Sequence, residues 1–543
     1  MDLNPTTALL EKDTVDGFVD YRGRPVSRRK AGGWRSALFV MGGEMAERFA
    51  YYGIASNLIN YLMGPFGKSM AEAAASINIW SGCICVIPLL GALLGDSFLG
   101  RYRMILVTSF LYILGTGMLT LSVIIPSLRP LQDPERGTCP PATQFQTFFL
   151  FTSLYLVAIA QNKPCVQAFG ADQFDAQDPQ ESKSKSSFFN WLNFSLCFGS
   201  GASTIIVPFI EDNNSWGLGF GLPCISMVAA LAIFLLGTPS YRYPKKTSGL
   251  VIRSCRVVGA AAEQVPSGDD DRRVIQISSE ETHHPRKSDW SRLIMESKEV
   301  LQLTPIWVTC LFYGVVNAQP LSLFTKQGGT MDRRVSRDFQ VPAAALQSTS
   351  SIMMLLLVPI YDGVFVPMTR LFTKLPSGIT MLQRIGIGLL LSIASMVVAA
   401  VVESRRLEMA RELGLVDEGD ATVPMSVWWL LPQFVLYGTA NVFVYIGSLE
   451  FFYGEMPEGL GSVGIALCLA TYGIGSFLSG ILISAVDMAS GAVGKSWFDS
   501  NLNRAHLDYF YWLVAASSAI GFGLFIYLAK SYVYKSQRLR DSF

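Results

Sequence analysis

Apolar residues gather in long runs along this chain, and short polar runs separate them. A helix needs about 20 mostly apolar residues to cross a bilayer core. Twelve runs reach that length, at 34–63, 74–98, 102–126, 146–170, 186–210, 219–237, 301–325, 344–366, 378–402, 424–452, 461–486 and 507–531. The longest break, 238–300, is rich in Ser, Lys, Arg, Asp and Pro, the composition of a flexible polar linker. It divides the runs six and six. Inside it, "SDWSRLIMESKE" (288–299) mixes polar and apolar positions and predicts a helix lying laterally to the bundle. The pattern predicts an all-α membrane protein of twelve transmembrane helices in two six-helix bundles. Its parts are a cytosolic N-terminal segment (1–33), a first bundle (34–237), a cytosolic linker (238–300), a second bundle (301–531) and a cytosolic tail (532–543). Two sixes facing each other across a central path imply a pseudo-twofold axis along the membrane normal.

Composition agrees with this pattern. Of 543 residues, 50% are hydrophobic and 16% charged, against about 25% charged in soluble domains. Mean hydropathy is +0.35. A net charge of +1 excludes bulk attraction to nucleic acid. The cysteines scatter through apolar runs, apart from Cys139 in a loop and Cys255 in the linker, so they read as small buried hydrophobes rather than a disulfide frame. "GPFGKSM" and "GAVGKSW" lack the first glycine of a phosphate loop, having Leu62 and Ala489 there. No His, Cys and acidic residues cluster at metal spacing, and no nucleophile stands beside a base. The chain therefore reads as neither an enzyme nor a metalloprotein. The N-terminus is polar and acidic, without a cleavable signal pattern. Lys and Arg concentrate before residue 36, in the linker and in the tail, which places both termini in the cytosol of a multi-pass protein. The plasma membrane and the vacuolar membrane both fit.

The informative residues are those that break the apolar pattern. "GGEMAERFAYYG" puts Glu44, Glu47 and Arg48 on one helix face. Each charge at membrane depth costs roughly 2.5–3.5 kcal/mol on insertion scales. Two acids and one base leave a carboxylate in excess, suited to binding and releasing a proton. Lys163 stands mid-membrane before Pro164, which frees a backbone carbonyl and kinks the helix. The lysine needs an anionic partner, either a carboxylate or a bound solute. An internal echo pairs "GALLGDSFLGRYRMI" with "PIYDGVFVPMTRLF": Asp96 precedes Arg101 and Arg103, and Asp362 precedes Arg370. Such charges predict a conformational latch at the cytosolic helix ends.

These stretches resemble a known family. "ExxERFAYYG" is similar to the first-helix motif of proton-dependent oligopeptide transporters, a branch of the major facilitator superfamily. "GDSFLGRY", "KPCVQAFGADQFD", "SSFFNWLNFSLCFGSG", "LEFFYGEMP" and "NLNRAHLDYFYWLVA" extend the likeness to the plant nitrate and peptide transporter family, most of all to its fifth subfamily. The resemblance implies the major facilitator fold and proton-coupled alternating-access symport of a small solute, nitrate or a di- or tripeptide foremost. It implies protons as the coupling ion, no other cofactor, a lipid bilayer around the protein, and a monomer or weak oligomer. Carried over by motif, Glu44, Glu47 and Arg48 are the coupling residues, and Lys163 matches the lysine that pairs with a tenth-helix acid. Here that acid's position is Asn441, with Glu450 the nearby acid able to substitute. A seventh-helix histidine used in nitrate transport is replaced by Asn317, and "AIAQNKP" is shorter than the family's glycine-rich run. The expected solute-binding set is Arg48, Tyr51, Tyr52, Lys163, Asn317, Gln319, Asn441 and Tyr445. The neutral replacements also fit a membrane sensor or scaffold that keeps the fold without efficient transport.

Overall fold

The computed structural model describes residues 14–28, 31–94, 100–130, 142–161, 163–175, 178–213, 215–244, 287–337, 339–373, 379–419, 421–456, 461–492, 494 and 496–534. The first half contains α1 (Gly33–Ala55), α2 (Leu58–Met63), α3 (Met70–Leu94), α4 (Arg101–Ile124), α5 (Gln144–Ala160), α6 (Lys163–Ala171), α7 (Pro179–Asn213) and α8 (Trp216–Leu236). The second half contains α9 (Lys287–Asn317), α10 (Thr325–Gly329), α11 (Ser348–Ile360), α12 (Val366–Thr373), α13 (Met381–Glu412), α14 (Leu431–Glu455), α15 (Gly461–Ala492) and α16 (Leu507–Ser531).

Among the described residues, 10 helical stretches are long and apolar enough to cross a membrane. Two predicted spans fall outside that number for physical reasons. α1 carries Glu44, Glu47 and Arg48 within its 23 residues, too many charges for a purely apolar span. The fourth run is not one helix. α5 ends at Ala160, and Gln161 turns extended at ψ 121° before α6 begins at Lys163.

Two other expectations need correction. The 288–299 stretch is not a separate lateral helix, because it runs on into the seventh span as α9. The tenth run starts as a short strand, Val423–Ser426, and becomes helical at Leu431. The N-terminal segment also carries strands, on which the sequence reading is silent: β1 (Thr14–Val19) pairs with β2 (Pro25–Ser27) and with β3 (Tyr243–Pro244), which follows α8. Most of the linker, 245–286, and the end of the tail, 535–543, lie outside the described residues.

The β1–β3 sheet sits on an ionic cluster. Arg242, 1% exposed, donates through Nε to the Ala31 carbonyl (3.0 Å) and grips Glu181 with both terminal nitrogens (2.6 and 3.2 Å). Gly32, at φ +85°, has to be glycine, since a Cβ there would lie 2.1 Å from the Arg242 Nε. Arg28 bonds to Asp175 (2.6 Å) and Asp178.

The halves meet along two seams. α3 packs on α15, and α7 packs on α11. Glycines make the first seam close: a Cβ on Gly82 would stand 2.6 Å from the Phe477 ring and 2.9 Å from the Gly473 carbonyl. Side-chain hydrogen bonds across the seams are Asn78 to Ser479 (3.0 Å), Ser200 with Ser351 (2.8 Å), Gln347 to the Ser56 carbonyl (2.9 Å) and Arg333 to Asp212 (3.2 Å). All lie between mid-depth and the face away from the chain termini, and Phe209 stacks on Phe339 at that face (5.9 Å). Among the described residues, then, the halves are tied together at the far face.

Candidate functional site

The three charges of α1 do not share one environment. Glu44 is 3% exposed. Glu44 and Glu47 line a cavity of about 50 Å³ inside the first half, with Thr108, Ser109 and Tyr112 of α4 and Val166 of α6. That volume accommodates water beside the carboxylates. Arg48 is adjacent, its Nε 3.5 Å from the Glu47 carboxylate. Its stem lies against Gly199 of α7. α1 therefore turns its acids toward α4 and the stem of Arg48 toward α7. Tyr51 and Tyr52 extend the same face, ring to ring at 4.9 Å, and Tyr51 continues to Trp80 at 5.9 Å.

The second half contributes a neutral wall. Tyr437 donates its hydroxyl to the Asn317 carbonyl oxygen (2.8 Å), and Tyr313 donates to that of Asn441 (3.2 Å). Tyr472 of α15 stands edge-on to Tyr313 (6.0 Å) and to Tyr445 (6.2 Å). Asn317, Asn441 and Tyr445 therefore come together, as the sequence suggested. Gln319 does not join them: it is fully buried and donates to the Val315 carbonyl (2.7 Å) and to Ser479 (3.0 Å) in the seam. It is a packing group, because two residues past Asn317, just beyond the end of α9, it lies on the opposite side and enters the α3–α15 contact.

Lys163 opens α6, and its side chain lies outside the described residues. Glu450 is not free to serve it. Arg384 of α13 holds that carboxylate (2.5 Å), donates to the Tyr361 hydroxyl (3.0 Å) and lies over the Tyr361 ring (4.8 Å). This buried arginine explains itself: it is a structural tie within the second half.

The latch residues are only partly visible. Arg101 pairs with Asp172, just past α6, at 2.6 Å. Arg103 and Arg370 are exposed on α4 and α12. Asp96 and the Asp362 side chain lie outside the described residues, although Asp362 falls in a π turn, Tyr361–Phe365, that follows Pro359. Tyr313, Tyr437 and Tyr472 were missed, since an uncharged aromatic in an apolar helix raises no alarm. A signal did exist: "YGVVN" (313–317) and "YGTAN" (437–441) repeat the same spacing on α9 and α14.

A family model described as PTR2, the POT family, matches residues 102–498. The chain belongs to the POT family. This POT-family chain is 50% identical to Protein NRT1/PTR FAMILY 5.10 of Arabidopsis thaliana over 537 residues, 95% of this chain and 96% of that protein. It is 47% identical to Protein NRT1/PTR FAMILY 5.15 of the same plant, covering 97% and 98%. The POT family transporter PepTSo, solved in meso, superposes with a TM-score of 0.71 at 20% identity over 92% of this chain and 99% of that one. A POT family transporter in complex with 5-aminolevulinic acid superposes at 0.64 and 16% identity, over 92% and 99%. The fold is that of the POT transporters, a multi-pass membrane protein of the major facilitator type.

Proposed function

We propose that this chain is a proton-coupled symporter of a small anionic or zwitterionic solute, working by alternating access with both termini in the cytosol. The observation that carries the reading is the grouping on α1: Glu44 and Glu47 line a small, mostly apolar cavity inside the first half, and Arg48 stands beside the Glu47 carboxylate with its stem against α7. Ionised Glu47 holds the guanidinium. A proton on Glu47 cancels that attraction and releases Arg48 to an anion entering the path. Proton and solute then act on the same residue, so each changes the affinity for the other. They shift the balance between inward- and outward-facing forms only by their differential affinity for the two.

Glu47→Gln tests this directly. Gln keeps the shape and loses the titration, so proton-driven accumulation is expected to fall to background while counterflow of solute persists. Unchanged accumulation would make the α1 charges a structural salt bridge. Loss of both activities in a protein that reaches the membrane would support a sensor or scaffold instead.

A further inference from the structure

The N-terminal sheet carries a tight turn at the rim of the first bundle. Val19 of β1 lies opposite Tyr243 of β3. Tyr243 packs edge-on to Tyr102 at the start of α4 (5.2 Å), and Tyr102 stacks on Phe234 near the end of α8 (5.5 Å). Beside Phe234, Leu235 and Leu236 turn outward, and Leu236, the last residue of α8, is 72% exposed. Leu38 of α1 and Phe110 of α4 are exposed as well. In a membrane protein such apolar side chains face the hydrocarbon, and the polar headgroups lie just beyond their ends. The turn that follows Val19 therefore sits where the apolar belt stops and the headgroup layer begins.

That turn is Asp-Tyr-Arg-Gly-Arg, residues 20–24. One Asp20 carboxylate oxygen accepts from the backbone N–H groups of Arg22 and Arg24, both at 2.8 Å. The Asp20 N–H donates to the Arg24 carbonyl (2.8 Å), and the Gly23 N–H donates to the Asp20 carbonyl (3.0 Å). Gly23 takes φ +78°, the left-handed region that favours glycine. The turn is thereby held in one shape, and its carboxylate is engaged by its own backbone. Tyr21 is 49% exposed, with the Arg22 guanidinium 5.0 Å from the centre of its ring. Arg22 and Arg24 are exposed, as is Arg103 next to Tyr102. Their neighbours Arg28, Arg101 and Arg242 all hold carboxylates. Among the described residues, Arg22, Arg24 and Arg103 form no ion pair.

We propose that this turn is a headgroup site for an anionic phospholipid of the leaflet on the side of the chain termini, with Arg22, Arg24 and Arg103 meeting the phosphate and Tyr21 set among the headgroups. Guanidinium groups suit phosphate because they donate two parallel hydrogen bonds to its oxygens. Tyrosine suits the same layer because its ring is apolar and its hydroxyl is wet. The symporter reading puts this leaflet on the cytosolic side, where anionic lipids give the membrane a negative surface. The site itself requires no transport. Free phosphate offers the same oxygens, but only a lipid brings them to the end of the apolar belt. A lipid bound here ties the N-terminal sheet to the bilayer beside α4 and α8.

The test is native mass spectrometry of the intact protein in detergent, with phosphatidylserine and phosphatidylcholine supplied in equal amounts and inorganic phosphate added in a separate arm. Phosphatidylserine is expected to be retained about fivefold or more over phosphatidylcholine. Arg22→Gln and Arg24→Gln should each lower that retention about fivefold, the effect of one arginine near an anionic surface. Arg334→Gln, which removes an exposed arginine on the far face, should leave it unchanged. Asp20→Ala separates an ordered site from loose charge: it makes the turn more positive, yet it should weaken retention because the two arginines lose their fixed spacing. Equal retention of the two lipids overturns the proposal, as does an equal loss in Arg334→Gln or stronger retention in Asp20→Ala. Displacement of the lipid by inorganic phosphate at equal concentration also overturns it, since the site would then belong to the free ion. Failure of Glu47→Gln to affect coupling would leave lipid retention as it is, so the two readings fail separately.

Discussion

At the scale of single residues, three buried arginines act as structural ties. Arg242, Arg384 and Arg406 each have a carboxylate partner and a second acceptor, the second being the Ala31 carbonyl, the Tyr361 hydroxyl and Asn503. Removing one partner of such a pair strands the other. Arg242→Ala is therefore expected to lower stability by about 3 kcal/mol, read as a fall in thermal midpoint in detergent; an unchanged midpoint would show that the N-terminal sheet is not docked through this arginine. The same cluster has an acid limit. Backbone N–H groups of Glu181 and Gln180, followed by Arg28, hold the Asp178 carboxyl below the usual carboxylate range. A lowered folded-state value means the stabilisation is present above the ordinary carboxylate pKa, about 4, and is lost as pH falls through the folded value. The midpoint should drop on acidification below about pH 4, and Arg28→Ala should flatten that drop. The α1 triad differs from these ties because neither Glu47 oxygen accepts a hydrogen bond among the described residues.

At the scale of elements, close approach matters more than charge. The α3–α15 seam depends on glycines: Gly473 would place a Cβ 2.7 Å from Val86 and 3.0 Å from the Cys85 Cβ. Overpacking of this kind typically costs 1–3 kcal/mol. Gly82→Val should therefore lower the thermal midpoint and slow transport, whereas Gly523→Val, on an exposed face of α16 where nothing stands within 4 Å of a Cβ, should do neither. Equal effects at both sites would mean the seam is not tightly packed. Breaks in the helices carry information of a similar kind. Gln161 divides α5 from α6 just before Lys163, within the shortened "AIAQNKP" run. π turns fall at Pro320–Phe324 and Tyr361–Phe365, and such turns are common at functional sites.

At the scale of the whole molecule, one ion pair, a stacked ring pair and amide contacts join the halves at the far face among the described residues. Arg333–Asp212 is partly exposed, at 26% and 27%, and exposed pairs contribute roughly 0.2–1 kcal/mol. Arg333→Gln should shift the population toward the far-open form about two- to fivefold. The measurement is labelling of a Ser56→Cys variant by a membrane-impermeant maleimide from that face, since Ser56 is fully buried under Gln347 in the closed form. No rise in labelling would assign the closure to the α3–α15 seam alone.

Hydropathy alone was enough to set out a helical membrane protein, because burial in lipid demands long apolar runs whatever their packing. The α1 motif was legible for the converse reason: charges in such a run are costly and stand out. Neighbours in space left no comparable trace. That Glu450 belongs to Arg384, that Gln319 belongs to the seam and that the N-terminal strands pair with residues after α8 depend on contacts between segments far apart in the chain. The same holds for the Tyr–Asn wall. Its spacing is printed twice in the sequence, but only the approach of α9 to α14 decides that each tyrosine bonds the other helix's asparagine.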